Sequence, residues 1–391
     1  MKENKLTNHI IKQWIAVFLM VALSLSLMAC GSNEDAENTP ASTQAADKTE
    51  SKAETEDTAD EEDTKAAAED VDSENTDTEN TDTEKISTGI PVTSSDVTVV
   101  LGEQGYNEVP IILEKGWFED VFGEHNIHIE IATFNNGPEM IEAFTAGQLD
   151  FGPMGMQPGI SGAANGAGAT IIASFCDSPE GIVIASLKES GITTVADLKG
   201  KTVGTTIGSS AYSLLLKALD EEGLSIDTDV NFVNIDFASA PTALETGELD
   251  VSIGYASKFD EITKTDGDLF YYIKDASGYG ISENILVGRD EFTQKYPDIT
   301  ENILALYQKA NEFINSNPEE AIAINARYYG LDEDVIQTTV DRYVYDWIEE
   351  DVLKKDVDEY IQFMYDNDLL TERLDVDDAV DFTYFNEAFG K

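Results

Sequence analysis

The pattern of apolar and polar positions divides the chain into a leading part and a folded part that begins near Asp96. From there to about Val287, short apolar segments rich in β-branched residues alternate with segments in which apolar residues recur every three or four positions. The first kind predicts strands, for example at 97–101 and 127–132, and the second predicts helices, for example at 139–146. This alternation is typical of an α/β fold with mostly parallel sheets flanked by helices.

After Val287 the pattern becomes helical throughout. Apolar positions at helical spacing predict a series of helices in this part. They are predicted at 290–296, 299–315, 318–329, 333–343, 352–367 and, as the last, near 376–389. The sequence therefore predicts an α/β body with a helical C-terminal extension.

The stretch TVGTTIGSSAYSLLLKALDEE, residues 202–222, joins a predicted strand to a predicted helix. Gly208 permits a tight turn, and the helix that follows has Tyr212 on its apolar face. Free backbone N–H groups at such a helix start suit a polar or negatively charged ligand group. The alternative, that Ser209 or Ser210 only caps the helix, stays open at this point.

Two segments about one hundred residues apart share one design. FNNGPEMIEAFTAGQLDFG begins at Phe134, and FASAPTALETGELDVSIG begins at Phe237. Each has a polar helix start with a proline, an amphipathic helix, a Gly-x-Leu-Asp turn and an apolar strand. This similarity predicts two α/β lobes, with a ligand cleft where the carboxyl ends of their strands face each other.

The first thirty residues have the pattern of a targeting segment. Lys2, Lys5 and Lys12 precede an apolar run at 14–28, and Leu-Met-Ala-Cys ends at Cys30. This ending resembles the lipobox of bacterial lipoproteins, which implies that 1–30 is a signal peptide and that Cys30 is lipidated. The rest of the chain would then lie outside the cytoplasm, anchored to the cell membrane. An uncleaved membrane helix is the alternative, but the run is short for a spanning helix.

Residues 31–95 are dominated by Glu, Asp, Thr, Ala and Ser, a composition that predicts a disordered acidic linker. The formal net charge of the whole chain is −53, and the acidity continues beyond this segment. Such a surface argues against nucleic acid as a partner and against direct docking on anionic lipid. Cys176, which follows an apolar run, is interpreted as a small core residue. No metal-ligand spacing and no cofactor motif is visible, so no metal and no cofactor are predicted.

Three segments resemble, in order and spacing, the solute-binding proteins of bacterial ABC importers. They are FNNGPEMIEAFTAGQLDFGPMGMQPGI, VADLKGKTVGTTIGSSAYSLLLKALDEEGL and PTALETGELDVSIGYASKFD. The nitrate/sulfonate/taurine group, which overlaps the binders of pyrimidine precursors, is the most similar. The resemblance covers 97–329. It implies a monomer of the type II periplasmic-binding-protein fold that delivers a small-molecule solute to an ABC transporter permease.

In this family two lobes are joined by two hinge crossings, which here would fall near 185–190 and 278–284. Lobe I would then comprise 96–185 plus 281–391, and lobe II 186–280. Carried over by position, the resemblance implies these ligand-binding residues: Glu103, Gln104, Tyr106, Gly155, Met156, Gln157, Ser209, Ser210, Tyr212, Gly254, Tyr255, Glu283 and Asn284.

The resemblance ranks a sulfonate-like, taurine-like or nitrate-like solute first. No arginine lies at the implied positions, so the bidentate fork that often holds such anions is not visible. Glu103 and Glu283 suit an amine instead, and a neutral or cationic heterocycle such as a pyrimidine or thiamine precursor is therefore the alternative.

Two other functions are alternatives to a binding protein. A serine hydrolase using Ser209 or Ser210 is disfavoured, because the chain holds three histidines and lacks the Gly-x-Ser-x-Gly elbow. A ligand sensor would need a separate signalling partner. The expectation is a binding protein without catalytic residues.

Overall fold

The computed structural model describes residues 85–105, 107–266 and 268–390. The predicted signal peptide with Cys30, most of the predicted linker and the predicted site residue Tyr106 lie outside the described residues. Within the described ranges, no helix is long and apolar enough to cross a membrane.

The last part of the predicted linker lies on the folded body. The backbone N–H groups of Thr93 and Ser94 donate to the carboxylate of Asp298 at 2.6 and 2.7 Å. The Ile86 N–H donates to Asp120. Ordered contacts therefore begin before residue 96.

The strands of the described part form two five-stranded sheets, with orders β2-β1-β3-β10-β4 and β7-β6-β8-β5-β9. In chain order they are β1 Val97–Glu103, β2 Ile127–Thr133, β3 Phe151–Gly155, β4 Ala169–Asp177, β5 Ile182–Leu187, β6 Thr202–Thr205, β7 Asn231–Asn234, β8 Val251–Tyr255, β9 Phe270–Asp275 and β10 Glu283–Arg289. We call the part built on the first sheet lobe I and the part built on the second lobe II.

Both sheets follow one plan. In lobe I, β1 pairs in parallel with β2 and β3, and in lobe II, β6 pairs in parallel with β7 and β8. The antiparallel strand is β10 in the first sheet and β5 in the second. Each of these two strands has just arrived from the other lobe. The predicted α/β fold with mostly parallel sheets is confirmed.

The chain passes between the lobes at two places. Strands β4 and β5 belong to different sheets, so the first crossing lies at 178–181, earlier than the expected 185–190. The apolar runs in β4 and β5 look alike in sequence, and only the pairing of β5 with β8 and β9 separates them. The second crossing lies between Asp275 and Glu283, which overlaps the expected 278–284.

The helices flank both sheets and form the C-terminal extension. In chain order they are α1 Glu108–Glu114, α2 Trp117–Phe122, α3 Gly137–Thr145, α4 Met156–Ala164, α5 Ser210–Glu221, α6 Ala240–Glu245, α7 Ala256–Asp266, α8 Asp290–Lys295, α9 Pro297–Ser316, α10 Pro318–Tyr329, α11 Glu333–Val340, α12 Glu350–Asp366, α13 Val376–Ala379 and α14 Thr383–Phe389.

The prediction of one final helix near 376–389 is wrong, because α13 and α14 are separated by an extended segment. Val380 has strand-like backbone angles and forms a parallel bridge with Ile171 of β4. The Asp381 N–H donates to the Ile171 carbonyl at 2.9 Å. The helix is therefore interrupted where the chain pairs with the edge strand β4.

The buried core runs through both lobes. Leu101 and Phe151 of lobe I belong to the same apolar cluster as Leu215 and Ile253 of lobe II. Cys176 lies in this cluster as a buried free thiol, as the sequence indicated. The two lobes are thus in direct contact in this structure.

Candidate functional site

A partly enclosed cavity of about 70 Å³ lies between the two lobes. It sits beyond the carboxyl ends of β1, β2 and β8, the edge at which open α/β sheets bind ligands. Its lining residues are Gln104, Gly105, Asn107, Asn135, Tyr329, Leu331, Val335, Ile336, Thr339 and Tyr343 from lobe I and Tyr255, Ser257, Lys258 and Glu261 from lobe II. The predicted site residues Gln104 and Tyr255 are therefore brought together, one from each lobe.

The turn after β1 builds the floor of this cavity. Gly105 has a φ of 97°, a conformation that favours glycine, and so the chain can turn sharply into α1. The buried carboxyl group of Glu103 accepts hydrogen bonds from the Gly105 N–H and, at 2.7 Å, from the Tyr329 hydroxyl. The Gln104 amide donates to the Pro153 carbonyl at 3.0 Å. Both side chains are held in place before any ligand arrives.

Three tyrosines contribute aromatic surface to the cavity. Burial raises the pKa of Tyr255 to about 12. Burial, followed by the charge of Glu103, raises the pKa of Tyr329 well above its usual range, and burial, followed by the nearby Cys176 and Tyr255, does so for Tyr343. The Tyr343 ring stacks on Tyr345 at a centroid distance of 5.9 Å. The hydroxyl groups therefore stay protonated at physiological pH, and that of Tyr329 donates to Glu103.

A second carboxyl group lies behind this floor. Glu108, in the first turn of α1, is fully buried, and neither of its oxygens has a hydrogen-bond partner among the described residues. Burial raises its pKa to about 8. Its neighbour Asn107 lines the cavity, and the charge of Glu108 contributes to the raised pKa values of Tyr329 and Tyr343. Glu108 is thus electrostatically coupled to the cavity wall.

The lobe II wall is the N-terminal part of α7. The Lys258 ammonium group pairs with Glu261 of the same helix at 2.9 Å. Asp260 accepts a hydrogen bond from the Tyr272 hydroxyl at 2.8 Å and forms an ion pair with Arg342, which follows α11. The Arg342–Asp260 pair therefore joins the C-terminal extension to lobe II beside the cavity.

We expect Asp260→Asn to loosen this contact between the lobes. The amide keeps one accepting oxygen but loses the charge and the second acceptor, which should weaken the closed form by about 1–3 kcal/mol. Small-angle X-ray scattering of the ligand-free protein should then give a larger radius of gyration. Asp268→Asn removes the exposed partner of Lys188 on the same lobe and serves as the control. Identical radii for both variants and the unmodified protein would contradict the expectation.

The predicted turns at 155–157 and 209–211 meet each other rather than the cavity. Ser213 of α5 donates a hydrogen bond to the side-chain carbonyl of Gln157, and both residues are buried. A Cβ atom on Gly155 would lie 2.5 Å from the Ser210 hydroxyl oxygen. These residues form a direct interlobe contact, and none of them lines the cavity described above.

Other predicted site residues serve the packing of a single lobe. Ser209 is the N-cap of α5, and its side chain accepts a hydrogen bond from the Tyr212 N–H. The capping role that the sequence left open is therefore present in the structure. The Tyr212 ring packs on Phe232 at 5.4 Å. Met156 is fully buried, and a Cβ on Gly254 would lie 3.3 Å from the Phe237 ring.

Glu283 and Asn284 lie where the second crossing enters β10. The Asn284 amide donates to the Ser178 hydroxyl at 3.0 Å, which ties the two crossings together. Burial raises the pKa of Glu283 to about 7, and nearby Asp177 adds to the shift while Lys217 opposes it. Both predicted residues thus lie at the hinge and outside the cavity lining.

Several lining residues were not predicted from the sequence. Tyr329 ends α10, and Tyr343 follows α11, both in the helical extension. Asn107 precedes α1, and Ser257 is the second residue of α7, within a segment quoted for the resemblance. The tyrosine-rich strings RYYG and RYVY are a usable signal, since they stand out in otherwise charged surroundings.

Comparisons with known proteins agree with this architecture. Two relatives share the name "Putative aliphatic sulfonates-binding protein". The one from Escherichia coli (strain K12) is 30% identical over 208 residues, 53% of this chain and 64% of the relative. The one from Bacillus subtilis (strain 168) is 29% identical over 288 residues, 73% of this chain and 86% of the relative.

Among solved structures, the alkanesulfonate-binding protein SsuA from Xanthomonas axonopodis pv. citri bound to MOPS has a TM-score of 0.68 at 22% identity. The match covers 73% of this chain and 99% of that protein, which supports a periplasmic-binding-protein-like fold. The family described as NMT1/THI5 like matches residues 111–321, more than half of the chain. The chain therefore belongs to the NMT1/THI5-like family.

Proposed function

We propose that this protein is the extracytoplasmic solute-binding component of an ABC importer. The observation that carries the proposal is the cavity between two lobes, with Gln104 on one side and Tyr255 on the other. A site divided in this way couples solute binding to lobe closure, because the solute completes contacts that exist only when the lobes meet. The closed form is then the state that a permease recognises.

The names of the relatives make organic sulfonates the first solute class to test. The E. coli and B. subtilis relatives are both named for aliphatic sulfonates, and the solved SsuA structure holds the sulfonate MOPS. Taurine and nitrate are tested with this class, because the resemblance ranks them together with sulfonates. Neutral or cationic heterocycles are the alternative class. The lipobox-like ending at Cys30 supports a lipid anchor that keeps the protein beside its permease.

A binding panel tests the proposal. The purified full-length protein is screened by thermal shift against alkanesulfonates, taurine, nitrate, aminopyrimidines, thiamine and riboflavin. A compound that binds only the folded protein raises the melting temperature in proportion to the logarithm of its excess over Kd. We expect at least one compound to raise it without being consumed. Turnover of the compound would instead support an enzyme.

We expect Ser257→Trp to abolish the response to that compound, because the indole fills part of the cavity. Thr228→Trp, on the exposed loop before β7, is the matched control and should respond like the unmodified protein. A full response in the Ser257 variant would place the solute elsewhere and count against this cavity.

A hydrolase built on the same fold has weaker support. The fold alone does not separate binding from catalysis. However, Ser209 caps α5, Ser210 lies in the interlobe contact, and His125 and His128 are absent from the cavity lining. The serines and histidines considered for a hydrolase therefore do not line this cavity.

A further inference from the structure

The charges around the interlobe cavity do not balance. Two buried carboxyl groups lie behind its lobe I floor. Glu103 is hydrogen-bonded to the lining residues Gly105 and Tyr329, and Glu108 is next in sequence to the lining residue Asn107. The basic side chain in the lining, Lys258, is paired with Glu261, and the nearby Arg342 is paired with Asp260. Among the described residues, neither floor carboxyl group has a cationic partner.

Such an arrangement is costly in the empty protein. A buried carboxylate is stable only when a positive charge or several donors compensate it. Glu103 accepts from Gly105 and Tyr329, whereas Glu108 has no donor among the described residues. Uncompensated acids beside a cleft mark a position at which a ligand supplies the missing charge.

The aromatic walls of the cavity also favour a positively charged ligand. Tyr255, Tyr329 and Tyr343 line the cavity, and aromatic faces attract cations through their negative π surfaces. A sulfonate group placed on this floor would face the Glu103 carboxyl group and would disfavour the ionised form of Glu108. A positively charged nitrogen would be attracted by both the carboxyl groups and the rings.

Building on the proposed solute-binding function, we propose that the solute carries a positively charged nitrogen, either an ammonium group or a cationic ring, which binds at the lobe I floor against Glu103 and Glu108. Glu103 supplies the nearer carboxylate, held by Tyr329 and Gly105. Glu108, which is protonated in the empty protein at neutral pH, ionises when the cation binds and then supplies a second negative charge behind Asn107. A sulfonate-bearing solute fits this site when it also carries an amine, as taurine does.

The test uses pairs of probes that differ only in the charged nitrogen. Taurine is compared with isethionate, in which a hydroxyl group replaces the ammonium group, and choline with its neutral isostere 3,3-dimethylbutan-1-ol. Thiamine is the cationic ring. Affinities are measured by isothermal titration calorimetry on the full-length protein at pH 7.5 and on the variants Glu103→Gln, Glu108→Gln and Glu114→Gln. Glu114 is the control, an exposed residue at the other end of α1.

We expect a cationic probe to bind at least about tenfold more tightly than its counterpart. That preference should fall about tenfold in Glu103→Gln and Glu108→Gln and persist in Glu114→Gln. Binding of isethionate or the neutral alcohol at equal or higher affinity overturns the inference.

Failure of the inference differs from failure of the proposed function. Binding confined to anionic or neutral compounds of the thermal-shift panel overturns the cation site and leaves a solute-binding protein. Binding of no compound in either set overturns both.

Discussion

Glu108→Gln should stabilise the ligand-free protein by about 3 kcal/mol at pH 7, a large gain for one substitution. The carboxyl group of Glu108 is fully buried without a hydrogen-bond partner among the described residues, and its pKa is raised from an ordinary 4.5 to about 8. At pH 7 the unfolded chain ionises this group, whereas the folded protein keeps it protonated. That difference favours unfolding, and the neutral amide of glutamine removes it.

The gain should depend on pH in a defined way. A group whose folded-state pKa is raised contributes stability below its unfolded pKa and loses it as the pH rises through the folded value. For Glu108 the loss runs from about pH 4.5 to about pH 8. Urea denaturation at pH 5, 7 and 9 should therefore show little difference between the two proteins at pH 5 and the full difference at pH 9.

Glu114→Gln is the matched control. Glu114 lies on the same helix, is exposed and pairs with Arg327. Its substitution should change the free energy of unfolding by no more than about 0.5 kcal/mol at any of the three pH values. An advantage of Glu108→Gln that stays constant from pH 5 to pH 9 would show that shape rather than ionisation is responsible.

A residue that costs stability in the empty protein has a function as its simplest explanation. Glu108 lies behind the cavity floor, where a bound cation would favour its ionised form. If Glu108→Gln both gains stability and loses affinity for cations, the two effects have one cause, the uncompensated carboxyl group of Glu108.

Hydrophobic periodicity was sufficient to predict most of the fold. The strand and helix around Ser209 and Ser210 were placed correctly, and α10 was predicted at its observed bounds. The first crossing was misplaced, because β5 is as apolar as the strand before it and differs only in its pairing partners. The break at Val380 was missed because its cause, a bridge to Ile171, is remote in sequence.

The site could be predicted only in part from the sequence. Gln104 and Tyr255 were found because they follow strands, where α/β ligands bind. Tyr329 and Tyr343 were missed because tyrosines near helix ends look like ordinary packing residues. Ser209, predicted as a ligand contact, is the N-cap of its helix in the structure, and the sequence could not separate the two roles because capping and ligand binding use the same residue types.

Gly155→Ala should weaken solute binding at least tenfold by keeping the lobes apart. Gly155 ends β3 with a φ of −70°, which alanine adopts without strain, so lobe I itself should fold normally. The added methyl group would lie 2.5 Å from the hydroxyl oxygen and 3.3 Å from the Cβ of Ser210 on the opposite lobe. Overpacking of this kind costs about 1–3 kcal/mol, and here the cost applies only when the lobes meet.

The second variant identifies the cause. Ser210→Gly removes both atoms that the new methyl group would touch, so the double variant Gly155→Ala/Ser210→Gly should recover most of the lost affinity. Scattering should give a larger radius of gyration for the single alanine variant than for the double variant, each measured with the best solute from the panel. If the double variant binds as weakly as Gly155→Ala, the loss arises within lobe I, and closure at this contact does not control binding. Recovery would instead establish that the turns at 155–157 and 209–211, predicted as ligand contacts, act by letting the lobes close around a solute bound elsewhere in the cleft.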